Sequence, residues 1–150
     1  MIRALTAGEC ALIRAEFGSA LPLDAVRLVA APWPLARAFV PGRGFGRDWV
    51  VWPRRDLPAD FSVAPVSLQA VLIHEMVHVW QARSGINLLL AKLRAGDGPG
   101  AYRYPSVRCD WPDLNIEQQA MAIEHRFRAA RGQPVPAEAV HYAAICPVRR

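Results

Sequence analysis

The chain has 150 residues, 53% of them hydrophobic, and a formal net charge of +5. That length suits one domain, residues 1–150, with a core of its own, and no run nears the roughly 18 apolar residues of a membrane span, so no membrane partner is expected. The positive charge comes from scattered arginines, with Lys92 the only lysine, so no basic stripe marks a nucleic-acid partner.

In chain order, Thr6 and Glu9 have capping-box spacing and open a helix that carries Leu12, Ile13 and Phe17 and ends at Gly18. Glu9, Arg14 and Glu16 break this first apolar run before it could serve as a signal segment. The expected location is therefore the cytoplasm, or outside it by a route without a Sec signal. DAVRLVA (24–30) reads as a strand, the Pro- and Gly-rich stretch 32–46 cannot be regular throughout, and RDWVVWP (47–53) reads as a second strand at a sheet edge. A helix follows over 66–83. INLLLAKL (86–93) fits helix or strand, and 96–113 reads as a long loop. Asn115 and Gln118 cap a helix that runs to Arg131 before Gly132, and the PAEAVHYAAIC tail suits a last short helix. Cys10, Cys109 and Cys146 are odd in number and lack CxxC spacing, which argues for reduced, buried thiols.

LIHEMVHVW (72–80) sets His74, Glu75 and His78 into the most hydrophobic helix of the chain. Burying such groups without partners costs several kcal/mol, so the pattern points to a bound species. HExxH puts two imidazoles one helical turn apart on one face, where both can reach a single zinc ion, while the glutamate beside the first acts as base on water. Zinc in catalytic sites takes a third protein ligand. A third histidine would fall at position 84, which is Ser84, so a glutamate on the later helix is the remaining source: Glu117 or Glu124. Glu124 has Arg128 at i+4 as an ion-pair partner, whereas Glu117 has none along its helix and borders the core stripe, which favours Glu117.

LIHEMVHVWQ followed by NIEQQA, with LTAGE near the start and a strand before the histidine helix, resembles small bacterial gluzincin-like proteins of the Vgr-related, domain-of-unknown-function kind, over most of residues 5–131. The resemblance implies a zincin-like α+β fold: a small mixed or antiparallel sheet packed on the HExxH helix and a second ligand-bearing helix. It also implies His74, His78 and Glu117 as zinc ligands, Glu75 as the HExxH base, and an association with type VI secretion spikes.

The expected activity is zinc-dependent hydrolysis of a peptide or protein substrate, laid along RDWVVW as an edge strand. Tyr102, Tyr104 and His141 are the candidate donors to the developing oxyanion, with Tyr104 set beside Glu75 as catalytic. His125 reads as structural or surface. The alternative is a non-catalytic, metal-stabilised module that binds a protein partner in a secretion or phage-tail-like apparatus.

Overall fold

Thr6 opens the first helix, α1 (Ala7–Phe17), with the expected capping box: its hydroxyl accepts from the Glu9 amide, and the Glu9 carboxylate accepts from the Thr6 amide. The computed structural model describes residues 1–105 and 109–147, so residues 106–108 of the long loop expected over 96–113 lie outside the described part. Glu9 does more than cap. Fully buried, its carboxylate takes two hydrogen bonds from Arg3, at 2.7 and 2.8 Å, and another from the amide of Phe61 at 2.9 Å. Gly8 completes the joint, because a Cβ there would stand 2.2 Å from the Ser62 hydroxyl and push α1 off the turn at Phe61–Val63.

Four strands form one mixed sheet: β1 (Ile2–Arg3), β2 (Val26–Ala31), β3 (Phe39–Gly44) and β4 (Arg47–Pro53), in the order β1-β2-β4-β3. The strand expected at the edge is interior. β4 pairs in parallel with β2 from Val26↔Asp48 to Ala31↔Pro53, and antiparallel with β3 on its other side. The edge falls to β3, FVPGRG, whose Pro41 cannot donate to a ladder and is tolerated only where one side of the strand lacks a partner. A tight turn at Phe45 and Gly46, both with positive φ, joins β3 to β4.

Helices cover the sheet. α2 (Val66–Arg83) packs on β3, β4 and α4 (Ile116–Ala129), while α3 (Leu88–Ala95) bridges β3 and α4, and α5 (Ala139–Ile145) closes on α4. INLLLAKL is thus helical: the Asn87 side chain caps Leu90 at 3.0 Å, and only Leu88 of its leucines is buried. α4 starts with the Asn115/Gln118 capping box and ends at Ala129, two residues before the expected stop. The core joins Ile13 and Phe17 of α1, Leu28 and Val50 of the sheet, Leu72, Ile73 and Met76 of α2, and Ile123 and Phe127 of α4. Burying each such side chain contributes about 1.5–3 kcal/mol.

The α+β class is as expected, and among the described residues no helix is long and apolar enough to cross a membrane. No disulfide joins the three cysteines; of these only Cys146 is buried, and Cys10 and Cys109 are partly exposed.

Candidate metal centre

The middle of α2 has no solvent face. From Leu72 to Val79 every residue is buried, the two histidines and Glu75 included. The apolar members pack into the core, so the His74–His78 line faces α4, where the first turn brings up Glu117. His74 Nε2 lies 3.2 Å from Glu117 Oε2, and His78 Nε2 lies 3.4 Å from the same oxygen. Among the described residues these three form the only cluster of three potential metal ligands, with donor atoms all within 4.8 Å of one another.

Fixed partners orient both rings. Glu124 is held by Arg128 at 2.8 Å through Oε1 and takes the His74 Nδ1–H on Oε2 at 3.0 Å. Gln81 spends its amide hydrogens on the Ile116 carbonyl at 3.0 Å and on Gln119 at 2.9 Å, so its Oε1 must accept the His78 Nδ1–H at 2.8 Å. Each Nδ1 therefore donates outward and each Nε2 is turned toward Glu117. This is how carboxylates and amides around metal sites set histidine tautomers.

The Glu124–Arg128 ion pair read from the sequence is present, and Glu124 is in addition the group that orients His74. Glu117, expected to lack a cation, has one: Lys92 Nζ of α3 stands 2.6 Å from its Oε1. A lysine alone in LLLAKL was the available signal, but nothing in the sequence tells which carboxylate it meets.

The electrostatics follow from this packing. Burial disfavours a charge on His74, but the hydrogen bonds to Glu117 and then Glu124 outweigh it and push the imidazole up to about 10. Burial likewise opposes the Glu117 carboxylate, and the bonds from His74 and His78 hold it well below the usual carboxylate range. Glu75 is the exception. Burial pushes its carboxyl up, and its Oε2 is buried without a hydrogen-bond partner.

The residues fit a zinc ion. Ligands at about 2.0–2.1 Å on a tetrahedron stand about 3.3–3.4 Å apart, close to the spacing of the two Nε2 atoms from Glu117 Oε2. Glu117 and Glu124 are paired with Lys92 and Arg128, so Glu75 is the carboxyl left for a buried cation to draw into its ionised form.

The site lines a cleft of about 720 Å³ between β3 and α3. Phe39, Val40, Leu68 and Val71 give it apolar walls, and His74, Glu75, His78, Glu117, Lys92 and Tyr102 its polar part. Tyr104, the expected catalytic tyrosine, does not line the cleft. Its hydroxyl bonds His125 and, at 2.8 Å, Tyr142 of α5, and burial raises it above the ordinary tyrosine range. His141 is also away from the cleft, with Nε2 3.6 Å from Cys109 Sγ. Of the three candidate donors, only Tyr102 is on the cleft wall.

Fold and site together define the class: an α+β domain whose HExxH helix and following glutamate helix form a pocket able to hold a metal ion. No protein-family model matches the chain. It is similar to the effector domain of Pseudomonas aeruginosa VgrG2b, a solved structure, at 32% identity and a TM-score of 0.67 over 86% of this chain and 75% of that one. It is also 32% identical over 140 residues to the whole type VI secretion system spike protein VgrG2b of that organism, covering 83% of this chain and 13% of that protein. The chain belongs to the family of this Vgr-related effector domain.

Proposed function

We propose that the protein is a zinc-dependent, gluzincin-type peptidase, with residues 1–150 acting as one catalytic domain. The observation that carries this reading is Glu75: a buried carboxylate oxygen without a partner, on the wall of a cleft, beside two oriented imidazoles and a third ligand. Asp48 also has a buried oxygen without a hydrogen bond, but its carboxylate is ion-paired with Arg83 and Arg43, whereas among the described residues Glu75 has no ion-pair partner.

His74, His78 and Glu117 would hold the zinc, which supplies Lewis-acid activation of a water and of the substrate carbonyl. Glu75 takes the water proton on its unpaired Oε2 and passes it to the leaving amine, a task suited to a carboxyl raised by burial. Glu124 and Gln81 keep the two rings aimed. The apolar walls exclude water and grip an extended peptide, and β3 replaces the interior β4 as the strand along which that peptide lies.

The non-catalytic alternative asks for a filled coordination sphere. Structural zinc takes four protein ligands, and among the described residues the cluster offers three. Kinship with a domain of a type VI spike protein supports export on such an apparatus, with a spike component as carrier and no need for a Sec signal.

The test is Glu75→Gln. This variant is expected to retain one zinc per chain while cleavage of an unstructured peptide library falls about 10²–10⁴-fold. His74→Ala and Glu117→Ala are expected to lose the metal. Undiminished cleavage by Glu75→Gln would overturn the enzyme reading.

A further inference from the structure

Lys92 and Tyr102 line the cleft, and the chemistry above leaves them without a task. Lys92 comes from α3, where its neighbours are leucine and alanine. Its Nζ donates to Glu117 Oε1 at 2.6 Å and to the Tyr102 hydroxyl oxygen at 2.9 Å, and stands 3.5 Å from exposed Asp97. The ammonium also sits 5.1 Å from the centre of the Tyr102 ring. Placing a cation one hydrogen bond from a metal ligand works against metal binding, so its presence calls for a compensating role.

Two consequences follow from the donors. Glu117 Oε1 is occupied, which leaves Oε2 alone to face the imidazoles and keeps the carboxylate from taking a second coordination corner. Tyr102 accepts from Lys92, so its own phenolic proton points elsewhere, and among the described residues that hydroxyl has no other hydrogen-bond partner. A phenol with an unspent proton, on the wall that carries the ligand set, is placed to meet an oxygen on which charge develops.

We propose that Tyr102 is the oxyanion donor of this cleft, and that Lys92 is a positioning residue that aims Tyr102 and confines Glu117 to one ligating oxygen. The inference rests on the peptidase reading. As the water oxygen bonds the substrate carbon, the carbonyl π pair moves onto its oxygen. Tyr102 donates a hydrogen bond to that oxygen and keeps its proton. When the carbonyl re-forms, the C–N bond breaks and the amine leaves with the proton carried by Glu75.

The experiment compares zinc-loaded wild type with Tyr102→Phe, Lys92→Met and Lys92→Arg. Cleavage of an unstructured, apolar-rich peptide is one readout, and calorimetric binding of N-phosphoryl-leucyl-tryptophan, a mimic of the charged transition state, is the other. Tyr102→Phe is expected to keep its zinc and its KM, to lose about 10²–10³-fold in kcat, and to bind the phosphoryl probe correspondingly more weakly. Lys92→Met is expected to lower kcat similarly, with Lys92→Arg restoring part of it. A cleaving wild type beside a Tyr102→Phe variant of equal kcat and probe affinity overturns the inference and leaves the peptidase reading standing. Loss of zinc in Tyr102→Phe also overturns it, by making the residue structural. Wild type that neither cleaves nor binds the probe overturns both.

Discussion

Two buried glutamates of this fold have opposite surroundings. Glu9 is fully enclosed, and its carboxylate takes two bonds from one guanidinium and two from backbone amides, which ties β1, α1 and the turn at Phe61–Val63 together. Glu75 is nearly as buried, yet one of its oxygens meets no donor. Burial alone therefore does not distinguish a structural acid from a chemical one. A paired cation does: Glu9 is neutralised by Arg3, and Asp48, though its own buried Oδ1 meets no donor, by Arg83. Glu75 has no ion-pair partner among the described residues and is held ready for something the chain does not supply.

The contrast breaks first at Glu9. Glu9→Ala leaves the Arg3 guanidinium without its counter-charge and is expected to destabilise the fold by about 3–5 kcal/mol, read by urea unfolding, with zinc affinity unchanged in the protein that remains folded. Loss of zinc affinity without loss of stability would reverse the roles assigned to the two acids. Next comes Glu124→Gln, which weakens the orientation of His74; its zinc affinity is expected to drop about 10–100-fold by competition with a chromophoric chelator.

A third test uses the proton that occupies the metal-free cluster. His74 is raised from 6.5 to about 10 in the fold, so its stabilising contribution is full below the unfolded value and lost as pH climbs through about 10. Zinc must displace that proton. Its affinity is expected to rise about tenfold per pH unit between about pH 7 and 9, with about one proton released per ion in buffers of differing ionisation enthalpy. A pH-independent affinity would mean that His74 is no ligand. The smallest effect is expected from Glu75→Gln in the metal-free protein: replacing a buried acid whose ionisation burial opposes should raise stability by about 1 kcal/mol, visible as a higher Tm.

The contrast also marks what a sequence can disclose. Capping boxes at Thr6 and Asn115 and the HExxH helix are local patterns, and all three elements form as read. β3 was not legible, because FVPGRG lacks strand propensity and forms only through its pairing with β4. β4 was misplaced at the edge for the same reason, since its parallel partner β2 is reached only by way of β3. At the site, the histidines and Glu75 were legible from spacing, whereas the Lys92–Glu117 bond crosses 25 residues and two helices and leaves no periodic trace. Tyr104 and Tyr102 are equivalent in sequence. Packing separates them, giving one to His125 and Tyr142 and the other to Lys92.

Lys92 is the sole side-chain amine of the sequence, and about a third of it reaches solvent beside the cleft. Acylating reagents therefore have one side-chain amine to reach, and a single acetyl group there would cancel the charge that Glu117 and Tyr102 share. A bound peptide would shield that amine, so the rate of its modification reports, through the intact mass of the chain, whether the cleft is filled.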